Sequence, residues 1–232
     1  MSYEKLVSLG RQHGTDKATS HNYLQIYAKI FERYNAQKEI KFLEIGAGDI
    51  GASHKMWRDY FPEAQIFCFD PFHLPGQKET LQEELIQHGV KVFQGNQLVR
   101  EDLKKFLDIY GGDFDVIIDD AAHMPDAIQI SLGCLFPFLK NGGLYIVEDL
   151  ITATSRQSRI EQVNNNIKNV LDTMHVEDYI LWEALQELEK NKTWPSNTLS
   201  SEEKEYLVNN VQNYKFFDDI MGRNNLCVIR KK

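Results

Sequence analysis

A chain of 232 residues with 42% apolar and 26% charged side chains can bury a full core, most simply as one α/β-sized domain. Its formal net charge of −8 argues against a nucleic-acid groove or an anionic membrane surface, which need clustered Lys and Arg. No apolar run reaches the ~18 residues of a membrane span, and the start Met-Ser-Tyr-Glu-Lys-Leu lacks a signal-peptide layout, so a cytoplasmic protein is expected.

Residues 3–9 form a short amphipathic piece, followed by a polar turn that carries Gly14-Thr15-Asp16-Lys17. Helical apolar spacing resumes from Tyr23 through Ile26, Tyr27, Ile30 and Phe31 to Tyr34. A first strand at 40–45 runs into Gly46-Ala-Gly48-Asp-Ile-Gly51 and a helix starting near Ser53. A second strand, 65–69, ends in Asp70, 22 residues beyond Gly48, the spacing of an acid that receives ribose hydroxyls. A helix at 78–88 and a strand at 90–94 lead to Gly95-Asn96-Gln97, and a helix at 101–110 leads to a strand at 115–119. An apolar helix at 127–139 and a turn at Gly142-Gly143 precede a fifth strand, 144–147.

Strand and helix thus alternate five times, which predicts a doubly wound, mostly parallel α/β sheet with its ligands at the carboxyl ends of the strands. The rest is polar and helical from 158 to 192, with a Glu/Lys-rich solvated stretch at 183–192, a loop at 194–197 and a capped helix at 201–210. Segments 214–221 and 226–230, joined through Gly222-Arg223-Asn224-Asn225, predict an antiparallel hairpin, for seven strands in all. The expectation is a single domain: a helical lid (1–38), a cofactor-binding core (39–150), a helical insertion (151–212) and a closing hairpin (213–232). Cys68, Cys134 and Cys227 stand among apolar neighbours and read as reduced core thiols.

Two adjacent carboxylates close each of the last two parallel strands, Asp119-Asp120 and Glu148-Asp149, and His123 follows the first pair. Asp120 and Glu148 stand 28 residues apart, the length of a crossover helix and its strand, so neighbouring strand ends bring the acids together. Singly, each acid could cap a loop or bind backbone amides; together they suit a hard cation, Mg²⁺ or Mn²⁺ rather than structural Zn²⁺. The glycine turn satisfies a dinucleotide fingerprint, so an NAD-dependent dehydrogenase and a turn without ligand are both open. Glu44, two residues before the first glycine, disfavours a pyrophosphate and favours a ligand with positive charge such as S-adenosylmethionine, whose ribose can meet Asp70. His13, His21, His54, His73, His88 and His175 read mostly as surface or loop residues, with His21 set apart because it starts the lid-like amino-terminal helix. Trp182, Trp194 and Tyr179 could stack on a ring of the acceptor but fit core or surface use better.

Phe42-Leu-Glu-Ile-Gly-Ala-Gly, Phe69-Asp70 and Phe114-Asp-Val-Ile-Ile-Asp-Asp resemble the class I S-adenosylmethionine-dependent methyltransferases. Gly14-Thr-Asp-Lys, the stretch from Gly51 to Pro62, Ile118-Asp-Asp-Ala-Ala-His, Gly143-Leu-Tyr-Ile-Val-Glu-Asp and Phe216-Phe-Asp resemble more narrowly the metal-dependent macrolide sugar O-methyltransferases of the mycinamicin type and the cephalosporin hydroxylase-like group. The resemblance covers about residues 10–150 and the last twenty. It implies that Asp120, Glu148 and Asp149 hold Mg²⁺ and that His123 is the general base. It further implies Asp119, Ser53, Thr15 and Lys17 near the methionine end of the cofactor, Asp70 on the ribose, and the Gly95-Asn96-Gln97 turn at the adenine edge, with Glu44, Gly46 and Gly48 around the first turn. Asn96 stands where the family usually has Asp, and Ala121-Ala122 where it often has Gly-Ser.

The implied reaction moves a methyl group to a hydroxyl, expected on a sugar or glycoside, with no nucleic-acid or membrane partner and a homo-oligomer left open. A sugar hydroxyl is little ionised at neutral pH; a bound cation helps it lose its proton, and an imidazole can accept it. The other readings are a metal-independent small-molecule methyltransferase and a non-catalytic cofactor-binding protein.

Overall fold

The computed structural model describes residues 2–34, 39–73, 76–150, 181–218 and 224–232. The elements in chain order are α1 (Tyr3–His13), α2 (Leu24–Phe31), β1 (Lys41–Ile45), α3 (Ala52–Tyr60), β2 (Gln65–Asp70), α4 (Leu81–Gln87), β3 (Lys91–Gln94), α5 (Arg100–Tyr110), β4 (Phe114–Asp119), α6 (Pro125–Leu135), β5 (Leu139–Val147), α7 (Leu181–Asn191), α8 (Ser201–Asn210), β6 (Val211–Asp218) and β7 (Asn224–Lys231). One sheet in the order β3-β2-β1-β4-β5-β7-β6 holds all seven strands. β7 lies antiparallel to both β5 and β6, and the other pairings are parallel.

The order reverses at β1, between β2 and β4, which opens the crevice where doubly wound folds bind ligands. Two cores flank the sheet. Tyr27, Phe31, Phe42, Trp57 and Phe61 pack on the α1–α4 side, with ring centroids of 5.1–6.2 Å between contacting pairs. Phe67, Phe106, Phe114, Leu132 and Leu185 pack on the α5–α8 side.

Three expectations change. Gly142-Gly143 lies within β5, which begins at Leu139, because the strand pairs Phe114 with Leu139 before a register shift. α7 is not a solvated face: Leu181, Ala184, Leu185 and Leu188 are buried at helical spacing, and the charges occupy the other side. Cys134 is only half-buried, 3.2 Å from the Arg100 guanidinium, whereas Cys68 and Cys227 are buried thiols. α8 opens with a capping box between Ser200 and Glu203. Tyr179, His175, residues 158–180 and the expected turn through Gly222 and Arg223 lie outside the described residues.

Candidate active site

The pleat of the strands sorts the acids. Along β4, Phe114 and Ile117 face the α5–α8 core and Val116 and Ile118 the α1–α4 core. Alternation therefore sends Asp119 and Asp120 to opposite faces. The same period places Glu148 with Leu144 and Ile146 on the α1–α4 side, and Glu44 with Phe42. Backbone bonds carry the register past the strand ends: Asp120 N–H donates to the Ile45 carbonyl at 3.0 Å, and Glu148 N–H to the Asp119 carbonyl at 3.0 Å. Glu44, Asp120 and Glu148 consequently converge on one side of the sheet.

Lys17 fills the point of convergence. Its ammonium, 1% exposed, donates to Asp120 and to Glu148 (2.8 Å) and lies 3.3 Å from Glu44. Burial works against its charge, but the charges of Asp120, Glu148 and Glu44 outweigh that and hold its pKa well above the ordinary value. Tyr27 donates its hydroxyl to Glu148, and Ser53 donates to Glu44 at 2.9 Å. Buried His54 lies with Nε2 3.3 Å from the Glu44 carbonyl. Three carboxylates surround one ammonium, so negative charge is in excess. Burial and the neighbouring Asp120 charge push the Glu148 carboxyl well up despite Lys17, whereas Asp120, although burial opposes it, is held down by Lys17.

A more open layer lies beside this centre. Asp149 and His123 both adopt left-handed backbone, φ 50° and 53°, an uncommon conformation for side chains of this kind that marks positions where surrounding structure dictates geometry. Tyr23 donates to Asp149 at 2.7 Å, and His21 Nδ1 lies 3.4 Å from the same carboxylate oxygen. His123 Nε2 is 3.9 Å from Asp120. Ligand atoms of Asp120, His123 and Asp149 lie within 4.8 Å of one another, as do those of Glu44, Asp120 and Glu148. Asp120 is common to both groups. Hard oxygen donors with surplus negative charge fit Mg²⁺ or Mn²⁺.

A cavity of about 690 Å³ opens beside these acids at the crevice. Thr15, Lys17, Gly46, Gly48, Ser53, Asp70, Asn96, Gln97, Asp120, His123 and Asp149 line it. Glu44, Asp119 and Glu148 are brought to the same strand ends but lie behind its wall. Asp70 accepts from the backbone N–H of Ala47 at 2.8 Å and of Phe72 at 2.6 Å, so one carboxylate ties the glycine turn to the end of β2. Asp119 accepts from Gln97 (3.1 Å), Tyr145 (3.2 Å) and Ser131, while the Gln97 carbonyl accepts from Ala122 N–H at 2.9 Å. This chain fixes the loop that carries His123. Asn96 uses its Oδ1 to accept from Leu98 N–H at 3.0 Å, a turn-capping bond that Asp would make equally well.

Gly46 has φ 96°, and a Cβ there would stand 2.1 Å from the Asp120 carbonyl oxygen. The glycine lets the β1 turn close directly on the Asp120 backbone. Gly46→Ala is expected to lower stability by about 3 kcal/mol or more, checked by denaturant unfolding.

Sequence reasoning missed Tyr23, Tyr27 and His54. Tyr23 and Tyr27 were hidden in an apolar stripe, whose hydroxyls end on Asp149 and Glu148. His54, expected at the surface, is fully buried beside Glu44. The strand alternation was the available signal for separating Asp119 from Asp120. Trp194 is buried and donates to Gln129, while Trp182 is exposed.

No family model matches the chain. It is 33% identical over 190 residues to the 8-demethyl-8-(2-methoxy-alpha-L-rhamnosyl)-tetracenomycin-C 3'-O-methyltransferase of Streptomyces olivaceus, covering 75% of this chain and 46% of that protein. It is 34% identical over 133 residues to the mycinamicin VI 2''-O-methyltransferase of Micromonospora griseorubida, covering 55% and 31%. A solved MycE methyltransferase of the mycinamycin biosynthetic pathway, in complex with Mg and SAH, superposes with TM-score 0.69 at 25% identity, covering 98% of this chain and 53% of that one. The chain spans about half the length or less of these relatives. Homology to sugar O-methyltransferases and the shared seven-stranded fold make this chain a member of the class I S-adenosylmethionine-dependent methyltransferase family.

Proposed function

We propose that this chain transfers a methyl group from S-adenosylmethionine to a hydroxyl of a sugar in a glycosylated natural product, with Mg²⁺ as cofactor. The observation that carries the reading is the meeting of Asp120, His123 and Asp149 on the wall of a crevice cavity, with Glu148 directly behind Asp120. The named activities of the relatives and the Mg and SAH of the MycE complex support it.

Asp120, Glu148 and Asp149 would hold the cation. When bound, it supplies a Lewis acid for the acceptor hydroxyl. His123, half-exposed at the cavity, takes the proton. Gly46 and Gly48 let the cofactor approach the turn backbone, Asp70 meets its ribose, and the Gly95–Gln97 turn borders its adenine. Thr15 and Ser53 serve the methionine end from the cavity wall, and Asp119 acts through Gln97 on the His123 loop. Lys17 and Glu44 hold the charge balance beneath. The amino-terminal segment, through Thr15 and Lys17 on the cavity wall, acts as the lid. Among the described residues no helix is long and apolar enough to cross a membrane.

Calorimetry tests the cofactor assignment. S-adenosylmethionine is expected to bind and NAD not to; Mg²⁺ is expected to bind the wild type and to lose at least tenfold in affinity in Asp120→Asn and Glu148→Gln. Unchanged Mg²⁺ binding in both variants would refute the metal site. One observation favours a second reading: the Lys17 ammonium already gives these acids a cation, as a metal-independent methyltransferase would require. Turnover insensitive to EDTA would select it.

A further inference from the structure

A second convergence of metal-ligating groups lies away from the crevice, on the outer side of the α1–α4 layer. His13 closes α1, Asp59 stands on α3, and His88 directly follows α4. His13 Nε2 lies 2.7 Å from one oxygen of Asp59, and His88 Nε2 lies 3.0 Å from the other. The two rings meet edge to face with centroids 5.4 Å apart. A ligand atom from each of the three residues lies within 4.8 Å of the others. The neighbouring Arg58 guanidinium is engaged by the carbonyls of Phe61 (3.2 Å) and Pro62 (2.6 Å), so the two imidazoles are the close partners of Asp59.

Three donors from three separate elements, with His13 11%, Asp59 33% and His88 30% exposed, leave one side open to solvent. That is the layout of a tetrahedral ion with three protein ligands and a water. Ligands at ~2.0 Å around a tetrahedral ion stand about 3.3 Å apart. The present N···O separations, 2.7 Å from His13 to one Asp59 oxygen and 3.0 Å from His88 to the other, need to open by only a few tenths of an ångström to admit an ion between the imidazoles and the carboxylate, within reach of side-chain torsions. Two imidazoles and one carboxylate select a late first-row ion over Mg²⁺, so this site differs in chemistry from the all-oxygen acids at the crevice.

We propose that His13, Asp59 and His88 form a second metal site, for Zn²⁺ or a related divalent transition ion, that staples α1 to α3 and to the end of α4. The staple sits one residue before Gly14, from which the chain turns into Thr15 and Lys17 at the crevice. Bound metal would therefore hold the amino-terminal segment over the acids, whatever reaction the crevice performs.

The test uses EDTA-treated full chain, titrated with Zn²⁺ while the melting temperature is followed, and with Co²⁺ while visible absorption is followed. Zn²⁺ in large excess over its Kd is expected to raise the melting temperature by roughly 5 °C. Co²⁺ is expected to give the intense visible bands of a tetrahedral site. His13→Gln and His88→Gln keep a hydrogen-bonding partner for Asp59 and should each remove the Zn²⁺ shift and the Co²⁺ bands, whatever their own starting stability. Asp120→Asn, which alters only the crevice, should retain both. The proposal is overturned if the wild type shows no Zn²⁺ shift, if both glutamine variants retain it, or if Asp120→Asn removes it.

Discussion

Lys17→Met lowers the stability of the EDTA-treated protein by about 3–5 kcal/mol, which for a chain of this size is a fall of roughly 10 °C in melting temperature. The reason is geometric. Lys17 is the cation on which Glu44, Asp120 and Glu148 converge, and all but Asp120 are essentially inaccessible to water. Without it, three acids face one another across a low-dielectric space, and each must take a proton or repel its neighbours. Methionine fills the volume but neutralises nothing. Added Mg²⁺ is expected to recover part of the loss in the variant, because a divalent cation meets the same unpaired charge. A Lys17→Met, Glu148→Gln double variant should recover part of it without metal, since the two changes are coupled through one contact. Thermal unfolding checks all three. Unchanged stability in Lys17→Met would mean that the acids do not depend on the ammonium.

His123→Asn reduces methyl transfer by 10²- to 10⁴-fold, the usual contribution of a positioned general base. Asparagine suits this position because it tolerates the left-handed backbone that His123 adopts at φ 53°. The loop should therefore persist through the Gln97–Ala122 hydrogen bond. Cofactor affinity is expected to stay within a few-fold of wild type, so the loss falls on kcat. Stopped-time assays with radiolabelled cofactor, paired with calorimetry of cofactor binding, separate the two. A loss confined to cofactor affinity would remove His123 from the proton-transfer role.

Much of the architecture was legible because strand ends announce themselves. Apolar runs closing on Glu44, Asp70, Asp119-Asp120 and Glu148-Asp149 sit on β1, β2, β4 and β5, four adjacent strands of the observed sheet. The closing antiparallel pair was legible from the two strand-like segments at the carboxyl end, which pair as β6 and β7. The inner arrangement was not, for two physical reasons. Helical spacing at Tyr23, Tyr27 and Phe31 reports only which face is buried; it does not report that two of the three carry hydroxyls to acids 126 and 121 residues away. Lys17 likewise stands in a polar turn that the resemblance implies near the cofactor, and nothing in the turn reports that its ammonium is buried, since burial of a lysine is explained only by the three acids that the fold brings to it. The pleat at Asp119 and Asp120, by contrast, was available in the sequence: period two along β4 sends the two acids to opposite faces, where the structure gives the first to Gln97, Ser131 and Tyr145 and the second to Lys17.

Methyl transfer from labelled S-adenosylmethionine to a panel of glycosylated polyketides, with and without EDTA, tests the central claim most directly. The account predicts transfer to a sugar hydroxyl that falls at least 100-fold on metal removal, returns with Mg²⁺, and is lost in Asp120→Asn. Transfer that proceeds undiminished in EDTA and in Asp120→Asn would contradict it.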